Sequence, residues 1–315
     1  MRVLLAGGTG VIGKQLVPLL TAVGHELFVL TRGDQDRVDH LAALGARPVI
    51  GDLLDPAVVT GIVRQAQPEA IVHMATAIPR ELNPKRQPEQ FAVTNRLRTE
   101  GLRNLVNAAE DVSPARLVVQ GLAYAYDPAT GGIATEDAPL WAEPPAQFRT
   151  TAAALIELES ITRAANGLVL RFGHLYGPGT FYAPDGSFTA QVRAGKVPLV
   201  GGGASTFSFV HTRDAATAVL AALDKPVTGA LNIVDDEPAP MSEWLVEFAS
   251  LLGARKPKSI PTWVARLAVG AWGAAYMTQL LGASNERAKI ELDWKPRYSS
   301  WRAGFAEEHR RLGAL

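Results

Sequence analysis

The segment Gly7-Gly8-Thr9-Gly10-Val11-Ile12-Gly13 constrains this chain most. It follows a short apolar run, residues 2–6 (RVLLA). It precedes residues 11–23, where Val11, Ile12, Leu16, Leu19 and Leu20 recur at helical spacing. A strand that enters a helix through glycines must turn sharply, pack the helix close to the strand and let the backbone approach whatever binds there. Only glycine tolerates all three demands. The start of the helix then offers free N–H groups and a partial positive charge, which suits phosphate. In this context a glycine triplet reads as a dinucleotide-binding turn, with Gly7, Thr9, Gly10, Val11, Ile12 and Gly13 around the pyrophosphate. The alternative is a tight turn of purely structural purpose.

Further short apolar runs follow at residues 26–30, 48–50, 70–73, 117–119 and 168–170. Helical stretches separate them, roughly at 56–66, 86–110 and 147–165. This alternation predicts an α/β fold, a Rossmann-type doubly wound parallel sheet with helices on both faces. After Arg171 the texture changes. Residues 173–207 are rich in Gly and Pro, with helical spacing only near 187–195. Residues 209–210, 213–223 and 231–234 read as a return to the sheet, and 241–252 and 261–282 as helices. The reading is a nucleotide domain of residues 1–172 and 206–235, with a smaller, discontinuous C-terminal substrate domain of residues 173–205 and 236–315.

Composition excludes several functions. Lys+Arg and Asp+Glu both number 31 in the 315 residues. No net field is available to hold nucleic acid or an anionic membrane surface. The absence of cysteine excludes disulfides, thiolate metal sites and a cysteine nucleophile, and fits a reducing cytoplasm. No metal site is expected. The start, MRVLLAGG, lacks the apolar length of a signal peptide. The most apolar stretch, Leu267 to Met277, is shorter than the roughly 20 residues a membrane span needs, and reads as a buried or lid helix. The expected partner is a small molecule, and the expected state a monomer or homodimer.

The second strand bears on which dinucleotide binds. NAD-selective folds place Asp or Glu at its end, to meet the ribose 2′-hydroxyl. Here Thr31 and Arg32 stand there, so no carboxylate repels a 2′-phosphate and a guanidinium can pair with one. NADP is therefore the expected cofactor, unless Arg32 is only a solvated charge. Asp52-Leu53, after the third strand, could meet the adenine, or Asp52 could cap a loop.

These motifs together resemble the extended and atypical short-chain dehydrogenase/reductases, the NAD-dependent epimerase/dehydratase group. GGTGVIG resembles the group's phosphate loop and GDLLD its adenine contact. HMATA at residues 73–77 resembles HLAA, where the backbone passes the cofactor. TNRLRTEGLRNLVNAA resembles a helix of pattern NxxGTxNxLxAA, with Asn95 in the asparagine position. LRFGHLYGPG, SFVHTRDAATA and ALNIVDDEP resemble LRxxNxYGPG, FVHVDDVAxA and the strand leading to the substrate domain. The likeness implies cofactor contacts from Met74, Ala75, Thr76, Asn95, Gln120, Gly121 and Leu175.

The group's catalytic residues are missing. Its Ser or Thr is replaced by Leu122, which donates no hydrogen bond. No tyrosine has a lysine four residues later. Depending on register, Arg149 or Thr151 takes the relay Tyr position and Ala153 or Leu155 the Lys position. Candidate proton donors are therefore Tyr126, Tyr182 and His174, with Tyr176, Asp185 and His211 also placed toward the expected mouth. For Tyr176 the reading as a packing residue is preferred, and for His211 the reading as a structural histidine at the sheet–loop junction. Gln120 and Arg149 could orient a carbonyl. A substrate phenol beside the carbonyl would remove the need for any protein acid.

Nucleotide-sugar enzymes of the group carry Arg-Asp where this chain has Phe207-Ser208, so a diphosphate would lose its clamp. Phe181, Tyr182, Phe188, Trp263, Trp272, Tyr276 and Met277 make the expected lid apolar and aromatic. With Tyr126 and Arg149, Phe181, Tyr182, Phe188 and Met277 are the expected substrate contacts. The leading expectation is an NADPH-dependent reductase of an aromatic, polyketide-like ketone. An epimerase or dehydratase without net turnover and a non-catalytic NADP(H) sensor stand as alternatives.

Overall fold

A computed structural model describes residues 1–110 and 116–313, with side chains to residue 310. Seven strands form one sheet: β1 (Arg2–Ala6), β2 (Glu26–Thr31), β3 (Arg47–Ile50), β4 (Ala70–His73), β5 (Arg116–Leu122), β6 (Leu168–Phe172) and β7 (Gly229–Ile233). Their order is β7-β6-β5-β4-β1-β2-β3, and every pairing is parallel. The chain runs outward from β1 through β2 to β3, then returns to the other side of β1. The register pairs Ala6 with both Leu30 and His73. This reversal between β1 and β4 opens a crevice at the carboxyl ends of the strands, where ligands of such sheets bind.

The strands read as continuous apolar runs because both faces are covered. Val3, Leu5, Val72, Val118 and Leu170 face the helices Gly13–Ala22 and Thr212–Asp224. Leu4, Ala6, Ile71, Val119 and Val169 face the helices Pro56–Ala66, Leu102–Glu110 and Ala146–Ala164. A third cluster, rich in aromatic rings, gathers Tyr182, Phe207, Phe209, Trp244, Phe248 and Phe305 over the carboxyl end of the sheet.

Three local expectations change. The helix expected at 86–110 is a succession of short pieces, interrupted by a turn of π-helix at Leu97–Gly101. The apolar helix spans Thr262–Thr278 and breaks at Gly270, whose φ of 79° and ψ of 177° leave the helical region. Its first half is not buried: Trp263 is 66% and Leu267 71% exposed. A helix at Gln35–Ala43 has no apolar stripe to announce it, since it buries only Leu41. No helix of the described residues is long and apolar enough to cross a membrane.

Candidate active site

The glycine turn is tight for visible reasons. Gly7 has φ +100°, and a Cβ there would lie 2.5 Å from the Met74 carbonyl carbon and 2.6 Å from the Ala75 nitrogen. A Cβ on Gly13 would lie 2.3 Å from the Gly7 oxygen. The loops after β1 and β4 therefore touch, and the first helix packs directly on the turn. That helix has no side-chain cap and no acidic residue in its first turn, which leaves its N-terminal amides to a ligand. A Cβ built on Gly179 would lie 3.7 Å from the Val11 side chain, so the loop of residues 176–179 runs close to the turn. A glycine-rich turn, uncapped amides and no acidic residue in the first helical turn fit a dinucleotide pyrophosphate.

Around it, Arg32 is exposed and makes no ion pair or hydrogen bond among the described residues. Asp52 is exposed and its carboxylate accepts from the Leu54 amide at 2.9 Å, so it caps its own loop. Leu53 is buried, and its carbonyl accepts from Asn104. Met74 is buried, Ala75 half-buried and Thr76 exposed along the loop after β4. Gln120 and Leu175 are half-buried at strand ends, and Gly121 abuts Val169 and Arg171 of β6.

The mouth of the crevice is aromatic. Tyr124, just past β5, stacks on His174 at 4.4 Å, and His174 stacks on Phe207 at 4.2 Å. The Tyr276 ring stands edge-on to all three. Its hydroxyl lies close to that of Tyr182. Burial raises the pKa of Tyr124, Tyr182 and Tyr276, so all three phenols stay protonated near neutrality. Phe188 packs 5.0 Å from Tyr182, and Phe181 and Met277 are half-buried at the edge of this cluster.

His174 is ill suited to give a proton. Burial lowers its pKa to about 3, and Nδ1 faces the Ser208 carbonyl at 3.2 Å. The neutral ring must carry its hydrogen on Nδ1, which leaves Nε2 as a bare acceptor. Nε2 has no partner.

At the relay position, Thr151 is fully buried. Its hydroxyl accepts from Gln87 at 2.9 Å and from Asn95 at 3.2 Å, so it holds two helices together. Leu155 is buried and apolar. Arg149 and Ala153, which take these positions in the other register, are exposed on the same helix.

Tyr126 is placed elsewhere. Its hydroxyl donates to Asn232 at 2.6 Å and accepts from Arg171 at 2.8 Å. Arg171 makes a bidentate pair with Glu159, 2.7 Å in both bonds, and donates to the Glu136 carbonyl. This buried network ties β6 to β7 and to the helix over them, and has no hydroxyl left for a substrate. Tyr176 is buried against Gly304 and Phe305. His211 caps the helix Thr212–Asp224 by accepting from the Arg213 amide. Asp185 is exposed.

Two residues at the mouth carry no motif. Tyr124 sits two positions from Tyr126 on the same loop, and only the neighbouring rings distinguish them. Arg98, buried beside Tyr124, occupies the glycine position of the NxxGT pattern. That departure from the pattern is the signal that could have found it.

Known proteins resemble this chain over most of its length. Residues 3–234 match the NAD dependent epimerase/dehydratase family. The chain is 44% identical, over 98% of its length and 100% of the relative's, to a 3-diazoavenalumate denitrifying reductase from Streptomyces sp.. The human epimerase family protein SDR39U1, solved with NADPH, shares the fold at TM-score 0.74 and 22% identity, covering 98% of this chain and 99% of that one. DesIV, a dTDP-glucose 4,6-dehydratase from Streptomyces venezuelae solved with NAD and TYD, does so at TM-score 0.77 and 23% identity, covering 100% and 97%. The chain belongs to the NAD dependent epimerase/dehydratase family, as an atypical member without the Tyr-x-x-x-Lys relay.

Proposed function

We propose that the chain is an NADPH-dependent reductase of a small, largely apolar aromatic molecule, and that its acceptor needs no proton from a protein relay. The observation that carries this is the relay position itself. In one register Thr151 is buried, accepting from Gln87 and Asn95, and Leu155 supplies no cation; in the other, Arg149 and Ala153 supply neither a phenol nor a lysine; and neutral His174 has no proton to give at Nε2. NADPH, when bound, supplies the hydride. Gly7, Thr9, Gly10, Val11, Ile12 and Gly13 would hold its pyrophosphate, Met74 to Thr76 and Asn95 would line its path, and Arg32 would meet the 2′-phosphate. Residues 173–205 and 236–315 would close the aromatic mouth over the acceptor.

Two acceptors suit such a site. A diazo group, the group named in the substrate of the 44%-identical relative, leaves an aromatic ring without acid catalysis. In the diazonium form the ring carbon gains hydride, the C–N bond breaks and its electron pair departs with N2, so no proton is required. A ketone instead becomes an alkoxide and must be protonated. An adjacent substrate phenol, or the Tyr182–Tyr276 hydroxyl pair, would serve that second reading. The diazo reading needs nothing that the mouth lacks.

The test is enzyme with an aryl diazonium salt and NADPH deuterated at C4. Expected are one N2 per NADPH oxidised and deuterium on the ring carbon, at a rate above the uncatalysed control. Turnover confined to a tricyclic ketone would select the second reading. The absence of NADPH oxidation with either acceptor would overturn both, and favour epimerisation or a sensor. UDP-glucose is expected to give no calorimetric binding signal, because Phe207-Ser208 replaces the diphosphate clamp.

Tyr124→Phe and Tyr182→Phe separate the acceptors further. Removing a general acid costs about 10²–10⁴ in rate. On the diazo reading kcat stays within about threefold, since no proton is moved. A fall of about a hundredfold with NADPH binding intact would show that a phenol is the acid. Arg32→Ala is expected to raise KM for NADPH about tenfold, the worth of one charge-assisted pair, and leave NADH unchanged. An unchanged NADPH-to-NADH ratio would return Arg32 to the solvated surface.

A further inference from the structure

Two buried arginines in this protein invite comparison. Arg171 is 5% exposed and meets Glu159 in a bidentate pair, the Tyr126 hydroxyl and the Glu136 carbonyl. That is how a buried guanidinium is normally held. Arg98 is 3% exposed, yet its one hydrogen bond among the described residues is a long one, Nη1 to Asn95 Oδ1 at 3.3 Å. No carboxylate pairs with it. Asn95 is committed through its Nδ2 to Thr151, so its amide oxygen is fixed toward Arg98. No Arg98 atom is among the buried polar atoms without a partner, so its remaining N–H groups reach accessible space.

Its place in the fold is specific. Arg98 stands in the π-helical turn Leu97–Gly101, and such turns, which shift the facing of a helix by one residue, recur at functional sites. Its charge is felt by Tyr124, the ring stacked on His174 at the aromatic mouth. A guanidinium 3% exposed, with no carboxylate paired to it among the described residues, lacks an anion of its own.

We propose that Arg98 is the anchor for a carboxylate of the substrate, held beside Tyr124 and oriented by the Asn95–Thr151 pair. This rests on the reductase reading, and makes the acceptor an aromatic acid rather than a neutral aromatic. The pyrophosphate is the other oxyanion near the crevice, and is separated from the substrate by experiment.

The probes are cinnamate and methyl cinnamate, titrated calorimetrically into enzyme saturated with NADP⁺. Wild type is expected to bind the acid about tenfold or more tightly than the ester, in keeping with a bidentate guanidinium–carboxylate pair. Arg98→Met is expected to bind both alike, with NADP⁺ affinity unchanged. Arg98→Lys is expected to keep part of the preference, because the charge remains but the fork is lost. Equal binding of acid and ester by wild type, or no binding of the acid, overturns the proposal. So does an Arg98→Met protein that keeps the acid preference while losing NADP⁺, which would assign the guanidinium to the cofactor. Should Arg98→Met not fold, the wild-type and Arg98→Lys comparison decides. These readouts do not depend on turnover, so a protein that prefers the acid but oxidises no NADPH would sink the reductase reading and leave Arg98 in place.

Discussion

Replacing Arg171 by methionine is expected to lower the free energy of unfolding by about 3–5 kcal/mol, the usual cost of stripping one partner from a buried pair. Methionine fills much the same volume, so the loss comes from what it strands. Glu159 would keep a carboxylate in a site only 8% exposed, with both oxygens unmet. Tyr126 would lose the donor to its hydroxyl, and the Glu136 carbonyl a bond of 3.1 Å. A urea titration should show the midpoint falling with little change in slope. The double variant Arg171→Met/Glu159→Leu should recover a good part of the loss, because an apolar pair leaves no charge behind. Tyr126→Phe should cost about 1–2 kcal/mol, as for one buried hydroxyl network bond, and leave turnover per folded molecule intact. A loss below about 1 kcal/mol for Arg171→Met would mean that water or rearrangement satisfies Glu159. Loss of turnover in folded Tyr126→Phe would restore that phenol to the chemistry.

Replacing Gly7 by alanine is expected to weaken NADPH binding by about a hundredfold or more while the protein still folds. Two costs combine. A φ of +100° is strained for any residue with a Cβ, at about 1–3 kcal/mol. The added carbon would also stand 2.5–2.6 Å from the backbone of Met74 and Ala75, and must push that loop away. The loop is one the cofactor is proposed to pass, so the shift falls on binding. Gly24→Ala is the control. It has a similar φ of +84° with nothing within 4 Å, so it pays the strain but crowds nothing. Fluorescence titration with NADPH, beside thermal unfolding of both variants, separates these costs. Tight NADPH binding by folded Gly7→Ala would remove the turn from the cofactor site.

The site was only partly legible before folding. The absent relay could be read, because Tyr-x-x-x-Lys is a local spacing and this chain does not contain it. What replaces it could not. Tyr124 and Tyr126 lie two residues apart, carry the same group and follow the same strand. Tyr126 is drawn into a bonded network by Arg171, 45 residues on, and Asn232, 106 residues on, while Tyr124 is left to the mouth beside His174. His174 looked like a proton donor by residue type. Burial between the stacked rings keeps it neutral, and the Ser208 carbonyl holds its hydrogen on Nδ1, which leaves Nε2 an acceptor.

By itself the sequence determined the parallel sheet, the glycine turn and the absence of the relay, because each is written in residues close together in the chain. Short continuous apolar runs, period-3.6 apolar patterns and glycine spacing act through local geometry. Only the tertiary structure decided which polar groups are free. Whether Tyr126, Thr151 or Arg171 has a spare bond depends on partners brought in by the fold, and a π-helical turn at Leu97–Gly101 leaves Arg98 buried with no carboxylate paired to it among the described residues.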